Sequence, residues 1–363
     1  MNRTEIVVVG AGVVGANVAY RLAREGGRVA VLDAGPPGGG TSAASFAWLN
    51  AFNKTPRDYH ALNADSMAEF PRLAEELGGR SWLKVDGGLH WRDTPEGQAA
   101  LGATVARLRE WRYAVETLAA AAARELEPDL HLGPTVDAVV FTPREGYVES
   151  VPLVAALLAA ARREGAQVFP GRRVTGILRE GDRVRGVTTE GGARFEADVV
   201  VDCAGPATDG VARLAGLAVP IDRVPGRLVY TTPVPTTLRR PIHAPGVHFR
   251  PDGAGRVVLA TDDHDVNFDP HAAWAPERSL ACAAPHLPSL AGAGVEAVRV
   301  GVRPMPRDQK PMVGPVPGLE GFYVVVSHSG VTLGPLWGRV AAAEILDRKP
   351  DPRLDPYRPA RFC

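Results

Sequence analysis

The 363-residue chain has little cysteine, little lysine and no net charge. Its three cysteines, Cys203, Cys282 and Cys363, are odd in number and far apart. They offer neither a metal-ligand spacing nor a disulfide framework, which fits a reducing compartment. Lysine occurs only at positions 54, 84, 310 and 349, and arginine carries the rest of the positive charge. Lys+Arg and Asp+Glu both total 41, so the charge balance marks neither a nucleic acid nor an anionic membrane as partner. No apolar run reaches the roughly 18 residues of a membrane span. The apolar start of the chain is broken by glycines and resumes as a polar-faced helix, unlike a secretory signal. These absences predict a cytoplasmic protein with no membrane insertion.

What is present begins almost at once. In EIVVVGAGVVGANVAYRLAREGGRVAVLDAG, Ile6 to Val9 is an unbroken β-branched run, the pattern of a strand buried on both faces. Gly10, Gly12 and Gly15 follow as G-x-G-x-x-G, and Asn17 to Arg24 continues with helical spacing. In that setting Gly10 permits a tight turn and Gly12 a close approach of backbone to a pyrophosphate. Gly15 lets helix and strand pack closely. A second strand, Arg28 to Leu32, ends in Asp33, where a carboxylate can accept from a ribose hydroxyl. Glycine fills 40 of 363 positions, so the three glycines alone are a weak signal. The strand before, the helix after and the acid at the second strand together point to a dinucleotide.

The length implies two domains. After the first strand–helix–strand unit comes a Gly/Pro loop and a small-residue segment, then a helix over 58–77. WLKVDGGLHWR looks like strands around a turn, and residues 94–127 read as helices. A helix near 150, several short strands and a buried run at 198–202 follow. From 217 to 302 the stretches GRLVYTTP, GVHFRP and GRVVLATDD look like strands broken by Pro and Gly. GFYVVVSHSGVTLGPLWGRVAAAEIL repeats the strand–turn–helix theme. Nucleotide-type segments thus recur at the start, middle and end of the chain.

Five segments carry a resemblance. They are the opening motif, GGGTSAASFAWLN, GYVESVPLVAALLAAARREGAQVFPGRRVTGI, ADVVVDCAGPATDGVARLAGLAVPIDRVPGRLV, and VGVRPMPRDQKPMVGPVPGLEGFYVVVSHSGVTLGPLWGR. In this order they resemble the D-amino acid oxidase/glycine oxidase/sarcosine oxidase superfamily of FAD-dependent amine oxidoreductases. Nicotinamide dehydrogenases share only the first. The resemblance implies an α/β fold, with a discontinuous Rossmann-like FAD-binding domain over 1–75, 146–216 and 300–363. A mixed-β-sheet substrate domain would span 76–145 and 217–299, as in glycine oxidase.

The resemblance assigns the cofactor-binding positions to Gly10, Gly12, Val13, Val14 and Gly15, to Leu32, Asp33 and Ala34, and to Gly40, Thr41 and Ser42. It adds Ala47, Trp48, Leu49, Val174, Cys203, Ala204, Gly205, Arg303 and the run Ser329, Gly330, Val331, Thr332 and Leu333. The short hydroxyls of Thr41 and Ser42 can donate to phosphate oxygens, although the same residues also make plain surface turns. The 329–333 run, at a helix N-terminus, would face the part of the flavin where reduction builds negative charge.

Arg303, His248 and His328 are the candidates for the chemistry, with Arg250 a weaker one. Arg303, in GVRP, stands at the family's substrate-carboxylate arginine, and a guanidinium fork suits a carboxylate. His248 replaces a tyrosine of the relatives and can keep its hydrogen bond or titrate. Arg250, two residues on, would share that strand face. His328 is expected near the flavin in a structural role, preceded by Ser327 in place of the usual glycine. Ser329 and Gly330 stand where glycine oxidase relatives have a second arginine, which puts a simple glycine- or sarcosine-type substrate in doubt. Met305 and Pro306 occupy the region where sarcosine oxidases attach flavin through cysteine, so FAD is expected to be non-covalent. His60 reads as a satisfied, partly buried histidine, and no metal site is expected.

The implied reaction is oxidation of a C–N bond in a small-molecule amine or amino acid, with hydride passing to flavin N5 and the imine hydrolysing. No protein base is required where the amine enters deprotonated. Oxygen or another acceptor would reoxidise the flavin. The alternative is a catalytically silent FAD-binding subunit of a hetero-oligomeric dehydrogenase. Substrate identity and oligomeric state are not legible.

Overall fold

The computed structural model describes residues 5–261 and 275–362. Cys363 and the last two residues of GRVVLATDD lie outside the described residues.

The β-branched run is buried on both faces, as its composition demands. Ile6 and Val8 join one hydrophobic cluster, Val7 and Val9 another. Each such burial contributes about 1.5–3 kcal/mol. Their strand, Glu5–Val9, lies inside a six-stranded sheet in the order Met312–Pro315, Phe322–Val326, Val199–Asp202, Glu5–Val9, Arg28–Leu32, Gln167–Phe169. All neighbours are parallel except Met312–Pro315, the antiparallel edge. Helices Val13–Arg24, Ser150–Arg163 and Gly334–Leu346 share the cluster on one side. On the other, an antiparallel three-stranded sheet, Val174–Glu180, Arg183–Thr189 and Arg194–Glu196, packs with helix Thr208–Leu214.

The turn after the first strand is built on two glycines. Gly10 has φ +100, a conformation that side chains other than hydrogen rarely adopt. A Cβ on Gly15 would lie 1.9 Å from the Gly10 carbonyl oxygen, so only glycine lets the helix close onto the turn.

A second, eight-stranded sheet runs in the order Val295–Pro306, Ile221–Thr231, Val257–Thr261, Val247–Pro251, Ile242–Ala244, Gly88–His90, Ala138–Thr142, Glu116–Ala119. It is mixed: Ile242–Ala244 runs parallel to Gly88–His90, and every other pairing is antiparallel. The helical expectation for 94–127 needs correction. Helices Pro95–Glu110 and Ala120–Leu126 flank a strand, Glu116–Ala119, which finds its ladder partner in Ala138–Thr142. Local composition did not reveal that pairing.

The two longest strands, Ile221–Thr231 and Val295–Pro306, pair along their length and reach from this sheet to the nucleotide-type turn. There Gly301 packs against Ala44, and the expected domain boundary at residue 300 falls inside the second of these strands.

Candidate active site

A cleft of about 460 Å³ opens at the carboxyl ends of the parallel strands, where the strand order reverses between Glu5–Val9 and Val199–Asp202. This is the switch point at which open parallel sheets bind ligands. Of the expected cofactor residues it brings together Gly10, Gly12, Val13, Val14, Asp33, Gly40, Thr41, Ser42, Ala47 and Trp48. From the second half of the chain come Cys203, Ala204, Gly205 and the run Ser329–Thr332, with His248, Arg303 and an exposed His328. Six expected positions do not line it. Gly15 packs beneath the turn, and Leu32, Leu49 and Leu333 are fully buried under the cleft floor. Ala34 faces outward, and Val174 belongs to the small antiparallel sheet.

Several polar groups of the cleft are already engaged within the protein. Asp33 accepts from the Ala11 N–H at 2.6 Å and the Gly35 N–H at 2.8 Å, so it braces the turn it was expected to serve through a ribose. Thr41 donates its hydroxyl proton to the Val302 carbonyl at 2.6 Å, which commits the donor anticipated for phosphate. Ser42 accepts from the Val13 N–H at 3.0 Å and so keeps its own proton to donate. Ala47 holds φ 55 without being glycine, a strained backbone held at the cleft wall.

Arg303 projects from Val295–Pro306 and its guanidinium lies beside Gly226. It donates to the carbonyls of Val224 at 3.4 Å and Pro225 at 3.1 Å. Arg250 is corrected outright. It does not line the cleft: it is buried against the Tyr147 ring and donates to the Phe46 and Pro251 carbonyls, both at 2.7 Å. Burial without those partners would be costly for a guanidinium, and this explains its place under the wall. His60 is buried with Nδ1 2.8 Å from the Ala51 carbonyl, and burial lowers its pKa.

The largest unforeseen feature is aromatic. His243, directly across the ladder from His248, meets it with Nδ1 to Nδ1 at 3.0 Å. His243 also stacks on His90, with centroids 4.5 Å apart and planes 8° apart, and packs on Trp48 at 3.8 Å. Phe52 closes the pile on His90 at 4.1 Å. Burial pushes His90 and His243 well below the ordinary histidine range. The rings stack instead of converging, and among the described residues no group of three or more ligating side chains forms a metal site.

Behind this pile Glu145 is fully buried, and its Oε1 accepts from the N–H groups of Ala51 and Phe52 and from the Tyr113 hydroxyl. Its Oε2 accepts from Trp48 Nε1 at 3.1 Å and the Thr142 hydroxyl at 3.3 Å. Burial raises it to about 7 against the pull of those hydrogen bonds. The loop it anchors carries Lys54 into the cleft. Composition alone held the clue to Lys54, one of only four lysines in the chain.

The cleft fits a dinucleotide in two further respects. Gly12 opens its floor at the helix N-terminus, where a Cβ would meet Ser42 Oγ at 3.3 Å. Asn50, in the wall, has a buried Oδ1 with no partner among the described residues, an acceptor that a ligand N–H can satisfy.

A family profile for FAD dependent oxidoreductases matches residues 5–344. The chain belongs to that family. It is 29% identical over 360 residues to glycine oxidase of Geobacillus kaustophilus, covering 96% of this chain and 94% of the relative. It is 30% identical over 351 residues to glycine oxidase of Pseudomonas putida, covering 91% of each. Hydrogen cyanide synthase subunit HcnC of Pseudomonas aeruginosa is 26% identical over 412 residues, covering 100% of this chain and 97% of the relative. The crystal structure of the Geobacillus glycine oxidase superposes with a TM-score of 0.87, covering 99% of this chain and 98% of that one. The α/β architecture, with its Rossmann-like sheet, is therefore that of the FAD-dependent family. Among the described residues no helix is long and apolar enough to cross a membrane.

Proposed function

We propose that this chain oxidises a C–N bond of an amino acid or related small amine. The observation that carries the reading is the convergence of Arg303, His248 and the glycine turn of Gly10 and Gly12 on one cleft. FAD, when bound, supplies the two-electron acceptor for the hydrogen on the carbon that bears nitrogen. The turn, Ser42, Asn50 and the run Ser329–Thr332 would hold that cofactor. The six-stranded sheet and its flanking helices form the cofactor half, and the eight-stranded sheet forms the substrate half.

Arg303 supplies a cation for the substrate carboxylate, fixed in place by its bonds to Val224 and Pro225. His248 adds a second polar contact whose ring is held by His243. Trp48 and the buried aromatic pile keep water from that wall. The FAD is held non-covalently, because the cleft's cysteine, Cys203, is buried and its thiol is pushed well above the ordinary range. Such a thiol is a poor nucleophile. Oxygen or another acceptor completes the cycle.

The similarity to a hydrogen cyanide synthase subunit favours one second reading, an FAD-binding subunit that acts only within a larger assembly. One experiment separates the two. Purified yellow protein is mixed anaerobically with single amino acids and amines, and the visible flavin band is followed. Bleaching by one compound class supports the enzyme. Colour that persists with every amine favours the subunit. Acid precipitation that leaves FAD in the supernatant tests the non-covalent attachment.

A further inference from the structure

We propose that Lys54 is the group in the cleft that takes the proton from the substrate ammonium before the C–H bond breaks. This inference rests on the C–N oxidation reading above and assigns it a catalytic base.

The placement comes first. Lys54 lines the cleft and is 9% exposed, yet its ammonium makes no hydrogen bond or ion pair among the described residues. A buried charged amine without partners is costly, so the site favours either a neutral amine or a ligand that engages it. The loop that presents it is not slack. The Lys54 N–H bonds the Ala51 carbonyl at 3.2 Å, and Glu145 grips the neighbouring N–H groups of Ala51 and Phe52 at 2.9 and 2.8 Å. Glu145 also holds the Trp48 indole, which packs on His243, and His243 meets His248. Lys54 is thus tied through Glu145 and Trp48 to the wall where His248 would contact substrate.

The electrostatics suit a base. Burial lowers Lys54 to about 8, and the Glu145 carboxylate acts in the opposite sense. The other ionisable groups near this loop are His60, on the Ala51 carbonyl, and Tyr113, on Glu145. Within the cleft stand Asp33, Cys203, Arg227, His243, His248, Arg303 and His328. At pH 7 roughly a tenth of Lys54 is then neutral, far more than at the ordinary lysine value, with a lone pair to accept a proton. A catalytic base is most effective when its pKa lies near the working pH.

The step balances simply. The substrate ammonium gives one proton to the neutral Lys54 amine, leaving a neutral substrate amine and a lysine ammonium opposite Glu145. The freed nitrogen lone pair becomes the second C–N bond as the C–H electron pair leaves as hydride to the family's FAD. Lys54 returns its proton to solvent before the next turnover.

The test uses the FAD-loaded protein, with glycine, N-methylglycine, D-alanine and L-proline as probes. Anaerobic bleaching is timed from pH 6 to 10 for wild type, Lys54→Met and Lys54→Arg. Arginine keeps the charge but cannot serve as the base. We expect both variants to bleach about 100-fold more slowly near neutral pH. Their deficit should shrink as pH approaches the pKa of the substrate amine itself. An arginine variant with the wild-type rate would show that only charge matters, and would overturn the proposal. So would two variants with the wild-type pH profile.

A second readout needs no substrate. With ζ-15N lysine there are four side-chain signals to resolve, and the one missing from Lys54→Met is expected to titrate near pH 8. Titration at the ordinary lysine value of about 10.4 overturns the assignment of Lys54 alone. A signal that titrates near 8 in a protein that no amine bleaches would instead overturn the C–N oxidation reading, and the proposal with it.

Discussion

His243 and His248 face each other across the ladder with 3.0 Å between their Nδ1 atoms, hydrogen-bond distance for one proton between the rings. One ring donates and the other accepts. His243 Nε2 is buried with no partner among the described residues, and an orphan lone pair costs less there than an orphan N–H. The hydrogen-bond balance therefore assigns the shared proton to His243 Nδ1, which donates to His248 Nδ1. In that tautomer His248 Nε2 would be the ring atom that donates to a substrate carboxylate.

That arrangement makes His243 a positioning residue. His243→Phe keeps the stack on Trp48 and His90 but frees the His248 ring. KM for a carboxylate substrate should rise about tenfold, the ~1.4 kcal/mol of one hydrogen bond, while kcat and flavin content stay near wild type. His243→Asn, which can restore a donor at that position, should recover much of the loss.

The same variant should alter acid stability. The folded-state pKa of His243 is depressed, so above the unfolded value of about 6.5 the ring is neutral in both states and costs nothing. Below it the unfolded chain binds the extra proton and the fold loses up to ~1.4 kcal/mol per pH unit. Glu145, raised to about 7, acts in the opposite sense: its contribution is full at low pH and is lost as pH rises through about 7. The readout is therefore the difference in melting temperature between His243→Phe and wild type. That difference should move in favour of the variant as pH falls below about 6.5.

Glu145 collects five donors, and glutamine can match only part of that set. In Glu145→Gln the oxygen can still serve Ala51, Phe52 and Tyr113, but an amide NH2 would face the Trp48 indole N–H. We expect a loss of about 1–3 kcal/mol in urea denaturation of the loaded protein. The Lys54 signal should also titrate lower, because Glu145 is what holds it up.

Gly15→Ala should yield a colourless protein. The added Cβ, 1.9 Å from the Gly10 carbonyl oxygen, forces the helix off the turn. Flavin absorbance per mole of purified protein checks this, and full occupancy would contradict the packing argument.

Arg303→Lys tests the carboxylate anchor. Lysine keeps the charge and loses the fork. The preference for glycine over methylamine, measured as kcat/KM, should fall by ~10–150-fold, the equivalent of about 1.5–3 kcal/mol for hydrogen bonds to a charged group.

Much of this molecule was legible in its residues. The run Ile6–Val9, the glycine turn and Asp33 announced the parallel sheet and its cleft, because a two-face-buried strand and a tight turn leave strong local patterns. Less legible was whatever depends on partners distant in the chain. Arg250 shares a strand face with His248 and looked like a weaker candidate beside it, yet Phe46, over 200 residues away, claims Arg250 as a structural cation. Thr41 looked like a phosphate donor until its hydroxyl met the Val302 carbonyl. The pile of His90, His243 and Phe52 is assembled across three segments, and no local spacing encodes it. Lys54 was the exception, since its rarity was visible and its burial was not.

The central claim is that this cleft breaks a C–H bond next to nitrogen, and a single anaerobic turnover tests it most directly. The loaded protein is mixed with one equivalent of an acyclic amine that bleaches it, and the products are identified. The account predicts one carbonyl product and one released nitrogen, as ammonia or amine, for each flavin reduced. Bleaching that leaves the C–N bond intact, or is driven only by a hydroxy acid, would contradict it.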